Sequence, residues 1–122
     1  AFVKNRANTL SATLYDRPFC ISVITEAELR FGLVRRAVNA DLRRIVENFL
    51  VSVDILPWTS ASAQRYGPLR AELEALGKSL APMDLLIATH ALAEDCTLIS
   101  ADRVFAQVPG LRVLDWSASA NK

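Results

Sequence analysis

A chain of 122 residues that is 52% hydrophobic and 22% charged, with four glycines and five prolines, has the size and composition of one globular domain, which excludes disorder, collagen-like repeats and low complexity. No apolar run approaches the roughly 18 residues a membrane span needs and no leader-like segment opens the chain, so a cytoplasmic protein with no membrane association is expected. The net charge of +1 hides an asymmetry: Arg30, Arg35, Arg36, Arg43 and Arg44 face the single acid Asp41 between positions 30 and 44, so that segment alone carries +4.

Ala1 to Lys4 reads as the inside of an element rather than a start. Phe19 to Val23 is a short apolar, β-rich run suited to a buried strand. Thr25 with Glu28 three residues later forms a capping-box pattern, predicting a helix through about Arg36. Gly32 inside that helix suggests close approach by another backbone. Leu42, Ile45, Val46, Phe49 and Leu50 repeat at helical spacing between Asp41 and Leu50. Val51 to Leu56 reads as a second strand closed by Pro57. Another helix spans Ser60 or Ser62 to Leu76, with Pro68 expected to kink or restart it and Gly77 to cap it. Pro82 opens a strongly apolar helix through about Glu94. Thr97 to Ser100 is a strand, Asp102 to Gln107 a short helical turn, and Arg112 to Leu114 a last strand. Strands separated by helices imply an α/β fold with a doubly wound, mostly parallel sheet. Cys20 and Cys96 fit no metal or disulfide framework and read as small buried hydrophobes.

In open α/β sheets ligands gather beyond the carboxyl ends of the strands, and three acids stand there. Glu28 lies one helical turn after the first of these strands, Asp84 in the first turn of the helix opened by Pro82, and Asp102 two residues after the Thr97–Ser100 strand. Converging carboxylates need a cation, and hard oxygen donors select Mg²⁺ or Mn²⁺ over zinc. Such an ion activates water and stabilises charge developing on a phosphate. Each acid also has an ordinary reading: Glu28 as the capping-box partner of Thr25, Asp84 as a complement to the helix dipole, Asp102 as an N-cap. The arginine segment either steers a polyanion or is a solvated helical face. His90 sits about 120° off the Asp84 face of its helix and reads as a packed residue, as do Trp58 and Trp116.

Several segments resemble one family. Ile21 to Gly32, with Glu28-Leu29 ahead of Gly32, looks like the second-acid segment of the PIN-domain toxins, the VapC type of bacterial toxin–antitoxin systems. Pro82 to Ala93 is similar to the third-acid helix. Thr97 to Asp102 with Phe105, Val108-Pro109-Gly110-Leu111 and Asp115-Trp116 match the closing strand, acid, turn and terminal strand. The resemblance implies a PIN-like three-layer fold with helices on both faces of the sheet. It also implies a toxin that is a Mg²⁺- or Mn²⁺-dependent endoribonuclease, often acting on tRNA and held inactive by an antitoxin. Glu28, Asp84 and Asp102 fall on family acid positions as catalytic metal ligands, with Ser100 in the supporting Ser/Thr position. Arg30, Arg35, Arg36, Arg43 and Arg44 become candidates for contact with RNA or the antitoxin, in a homodimer or a toxin–antitoxin hetero-oligomer. The family's first strand, ending in Asp-Thr-Asn, has no counterpart here. Ala1 to Arg6 resembles the helix that follows it, so residues 1–122 are expected to form a single PIN-like domain lacking its N-terminal strand. The alternative is a catalytically dead PIN-like binding module that has lost its first acidic ligand. A phospho-acceptor receiver domain fits poorly, because Asp54 begins its strand and no Lys occurs between Lys78 and Lys122.

Overall fold

Five strands form one sheet in the order β3-β2-β1-β4-β5, in a computed structural model that describes residues 1–5, 19–35 and 39–115. Arg36 and Trp116 lie outside the described residues. In chain order the elements are β1 (Phe2–Lys4), β2 (Phe19–Ser22), α1 (Val23–Arg35), α2 (Ala40–Ser52), β3 (Asp54–Leu56), α3 (Ser60–Ala75), α4 (Pro82–Ala93), β4 (Cys96–Ile99), a 3-10 helix (Arg103–Gln107) and β5 (Val113–Leu114). The pairs β2–β3 and β4–β5 are parallel, and β1 runs antiparallel to both β2 and β4. Four strands therefore point one way, and the central strand is reversed.

That central strand corrects the helix expected over Ala1–Arg6. Phe2 lies opposite Cys20 and Leu98, and Val3 opposite Phe19 and Thr97. Without β1 the facing edges of β2 and β4 would hold unpaired backbone polar groups inside the molecule. Phe2 and Val3 suit the slot because both are strand formers, and both are buried. Successive strand side chains point to opposite faces, so burial of this pair means that both faces of the sheet are covered.

The largest apolar cluster joins Phe2, Cys20 and Leu98 of the sheet to Leu69 and Leu73 of α3 and Ile87 of α4. Helix α4 packs against α3 and β4. Every residue from Ile87 to Ala91 in it is buried, Thr89 and His90 included. The Thr89 hydroxyl is satisfied within the helix, donating to the Leu85 carbonyl at 2.7 Å. Cys20 and Cys96 are buried thiols, as expected.

Several boundaries depart from expectation for identifiable reasons. Helix α1 starts at Val23, so Thr25 and Glu28 lie inside it and cannot form a capping box; the Ser22 hydroxyl accepts from the Ile24 N–H at 3.0 Å instead. Helix α2 runs on through Ser52, leaving β3 only three residues. The β-branched Val51 suggested strand, but the helix turns it into solvent while burying Leu50. Pro68 does not end α3: Gly67 before it has no Cβ to clash with the proline ring, and Pro68 itself is exposed. Gly77 ends that helix as expected, at φ +70° with the Lys78 N–H reaching back to the Leu73 carbonyl at 2.9 Å. Apart from its chain neighbours and its own helix backbone, nothing described lies within 4 Å of a Cβ placed on Gly32, so the expected close approach by another backbone is not found.

Candidate active site: an acidic rim

Helix α1 follows β2 directly, and its second turn carries Glu28. Helix α4 begins with Pro82 at its first turn, where the missing proline N–H costs nothing, and Asp84 follows two residues later. Asp102 lies beyond the end of β4. One of its oxygens accepts from the Val104 N–H at 3.0 Å and caps the 3-10 helix. The Ser100 hydroxyl accepts from the Asp102 backbone N–H at 3.1 Å, so Ser100 fixes the turn that presents this acid.

The three carboxylates feel one another in series. Burial, and then the charge of Asp84, raise the Glu28 carboxyl above the ordinary Glu range. Burial, and then the charge of Asp102, raise that of Asp84. Asp84 is thus the middle member, half-buried between two exposed neighbours. Burial and like charge together disfavour the ionised carboxylates, and a cation bound among them would relieve both. Among the described residues no three His, Cys, Asp or Glu side chains could hold one ion together. The donor chemistry still fits a Mg²⁺-type ion, which keeps several waters and takes only one or two protein carboxylates.

The arginines are largely tied to their own helices. Arg30 pairs with Glu26 at 2.8 Å, Arg43 with Glu47 at 3.6 Å and Arg44 with Asp41 at 3.6 Å. Arg43 also donates to the Leu33 carbonyl of α1 at 2.9 Å. Arg35 is exposed in the last turn of α1.

His90 is fully buried, and its ring meets Phe2 and Trp58 edge-on at centroid distances of 5.7 and 5.5 Å. Both ring nitrogens are engaged, Nδ1 with the Ser22 hydroxyl at 2.6 Å and Nε2 with the Pro57 carbonyl at 3.0 Å. It cannot reach a substrate as a general base. Trp58 is half-buried and lines an apolar cleft of about 310 Å³ with Ile24, Ala63, Tyr66 and Leu86. Sequence reasoning missed Ser22, whose only signal was a buried polar residue at a strand-to-helix junction.

A mostly parallel α/β sheet whose carboxyl-end rim gathers Glu28, Asp84 and Asp102 defines the class: a PIN-type domain. The PIN domain model matches residues 2–111, and the chain belongs to that family. Within it the chain is a VapC-type protein. It is 34% identical over 118 residues to the tRNA(fMet)-specific endonuclease VapC of Shigella flexneri, covering 96% of this chain and 86% of that one. It is 32% identical over 110 residues to ribonuclease VapC2 of Rickettsia felis, covering 89% and 82%. Among solved structures, VapBC2 of Rickettsia felis bound to a DNA fragment from its promoter matches with a TM-score of 0.75 and 33% identity over 81% of this chain and 75% of that one. DNA-bound VapBC from Salmonella typhimurium matches with a TM-score of 0.74 and 33% identity over 80% and 74%.

Proposed function

We propose that this chain is the toxin of a toxin–antitoxin pair, a metal-dependent endoribonuclease of the cytoplasm that cuts RNA, with tRNA the favoured substrate class, at the rim formed by Glu28, Asp84 and Asp102. The observation that carries the reading is the membership of the chain in a family whose relatives here are named ribonucleases, with Glu28 on α1, Asp84 at the start of α4 and Asp102 beyond β4 close enough to feel one another's charge. A bound Mg²⁺ or Mn²⁺ supplies a lowered pKa for water and a counter-charge for the scissile phosphate. Asp84, between its two neighbours, is the principal carboxylate for that ion. With Asp84, one neighbour, Glu28 or the Asp102 oxygen not needed for capping, would complete the one or two carboxylates such an ion takes, the other acid acting through its charge. Ser100 keeps Asp102 in place through the turn it braces.

The antitoxin is proposed to cover α1 and α2, where exposed Phe31, Val34, Ile45 and Val51 share two helices with Arg30, Arg35, Arg43 and Arg44. Such a face suits a segment that is apolar with acidic flanks. Among the described residues no helix is long and apolar enough to cross a membrane.

Calorimetry with Mn²⁺ and a cleavage assay on tRNA test the site. Asp84→Asn should weaken Mn²⁺ binding and slow cleavage by about 100-fold or more while the circular dichroism spectrum is kept. Equal Mn²⁺ binding by wild type and variant would sink the metal reading. RNA retained in EDTA and never cut at any metal concentration would favour a catalytically dead binding module.

A further inference from the structure

Ser22 ends β2, and the next residue begins α1. Its side chain is fully buried and holds two partners, the Ile24 N–H at 3.0 Å and His90 Nδ1 at 2.6 Å. The proton positions follow from the far side of the ring. His90 Nε2 lies 3.0 Å from the Pro57 carbonyl, and a carbonyl can only accept, so Nε2 carries hydrogen. In the neutral imidazole Nδ1 then accepts from the Ser22 hydroxyl, leaving the Ser22 oxygen free to accept from Ile24. Both ring nitrogens and the Ser22 hydroxyl hydrogen thus have partners.

The chain links the pieces that carry the rim. Pro57 follows the end of β3, His90 belongs to α4 with Asp84, and Ser22 caps α1 with Glu28 one turn beyond Ile24. Phe2 and Trp58 hold the imidazole edge-on from two other elements. Among the described residues the Ser22–His90 bond is the polar tie between the start of α1 and α4. A tilt of about 10° pivoting at that turn moves Glu28 by about 1 Å, given a rise near 1.5 Å per residue. A misplacement of that size can cost on the order of 100-fold in rate.

We propose that Ser22 and His90 are positioning residues, a buried hydrogen-bonded pair that sets the start of α1 against α4 and thereby the spacing of Glu28 from Asp84. This rests on the rim being the metal site, and the two ideas can be separated by experiment. His90→Asn places an amide oxygen where Nδ1 was and keeps an acceptor for Ser22. His90→Gln reaches toward the Pro57 carbonyl and abandons Ser22. Ser22→Ala removes the link itself.

Residual dipolar couplings on the metal-free protein report the α1–α4 angle, and calorimetry reports Mn²⁺ affinity. Ser22→Ala and His90→Gln should each turn α1 against α4, speed amide exchange at Ile24 and weaken Mn²⁺ binding by about 10-fold or more. His90→Asn should restore all three to within about threefold, with Leu98 exchange unchanged throughout as proof of an intact core. An unchanged helix angle in Ser22→Ala and His90→Gln overturns the proposal. So does His90→Asn behaving like His90→Gln, which would make the ring mere packing. If the wild type binds no Mn²⁺, the metal reading falls, and the helix angle still decides the positioning role.

Discussion

The two pairs of helices use the same apolar residue types to opposite ends. In α3 and α4 the side chains of Leu69, Leu73, Leu85 and Ile87 are buried, and α4 is apolar almost all round because the sheet and α3 enclose it. In α2 only Leu50 is buried, while Ile45 is 66% and Val51 88% exposed, and α1 leaves Phe31 61% exposed. A few exposed apolar side chains are normal for a globular surface. Several large ones on two adjacent helices, beside a run of arginines, suit the antitoxin contact proposed for this face. The α3–α4 half is therefore the folding core, and the α1–α2 half is the face proposed for the antitoxin, with Glu28 of the proposed site in its first helix.

The largest effects should fall on the first half. Leu69→Ala or Leu73→Ala removes a side chain from the main cluster and should cost about 2–5 kcal/mol by urea unfolding. Ile45→Ser and Val51→Ser in the free chain should stay within about 0.5 kcal/mol, yet loosen the complex with the cognate antitoxin by about 10-fold in a titration. A cost above about 2 kcal/mol for Ile45→Ser would break the comparison, making α2 core rather than interface.

A smaller effect should appear as a pH dependence of stability set by His90 of α4. Burial pushes the His90 imidazole below its ordinary value, opposed in part by the Pro57 carbonyl. The unfolded chain takes up a proton near pH 6.5 that the folded chain resists. The stability held by neutral His90 is therefore complete above that pH and lost as pH falls through the folded value. His90→Asn removes this loss, so the wild-type advantage over the variant in urea midpoint should shrink between about pH 7.5 and 5.5. A constant advantage would mean that the folded imidazole is not held neutral.

Much of this division was legible in the sequence. The order of strands and helices from Phe19 onward followed from apolar spacing and from Pro82 and Gly77, because those signals are local. The proposed rim acids were legible from local signals: Glu28 one helical turn after a strand, Asp84 in the first turn of the helix opened by Pro82, and Asp102 just past a strand end. Their electrostatic linkage was not, since it depends on how α1 and α4 meet in space. Phe2 to Lys4 misled because three residues carry no period, and only the vacant slot between β2 and β4 decides that they pair. Val51 misled because its β-branching speaks for strand while the burial of Leu50 holds the helix together. Ser22 was invisible for the same reason as the linkage: its partner is 68 positions away.

Gly32 gives the finest test of the contrast. It lies within α1, and apart from its chain neighbours and its own helix backbone nothing described comes within 4 Å of where a Cβ would stand. A glycine in mid-helix costs about 0.5–1 kcal/mol relative to alanine, so Gly32→Ala should stabilise the free chain by that amount in urea unfolding. The mirror substitution in the other half, Ala88→Gly, removes a fully buried methyl group as well as helical stiffness, and should destabilise by more than about 1 kcal/mol. If Gly32→Ala stabilises the free chain but weakens antitoxin binding, the open space beside Gly32 belongs to the partner, and the interface extends from α2 onto α1. If it stabilises the chain and leaves binding unchanged, the covered face ends short of Gly32. Destabilisation instead would mean that α1 is packed there as closely as α4, and the contrast between the two halves would fail at that turn.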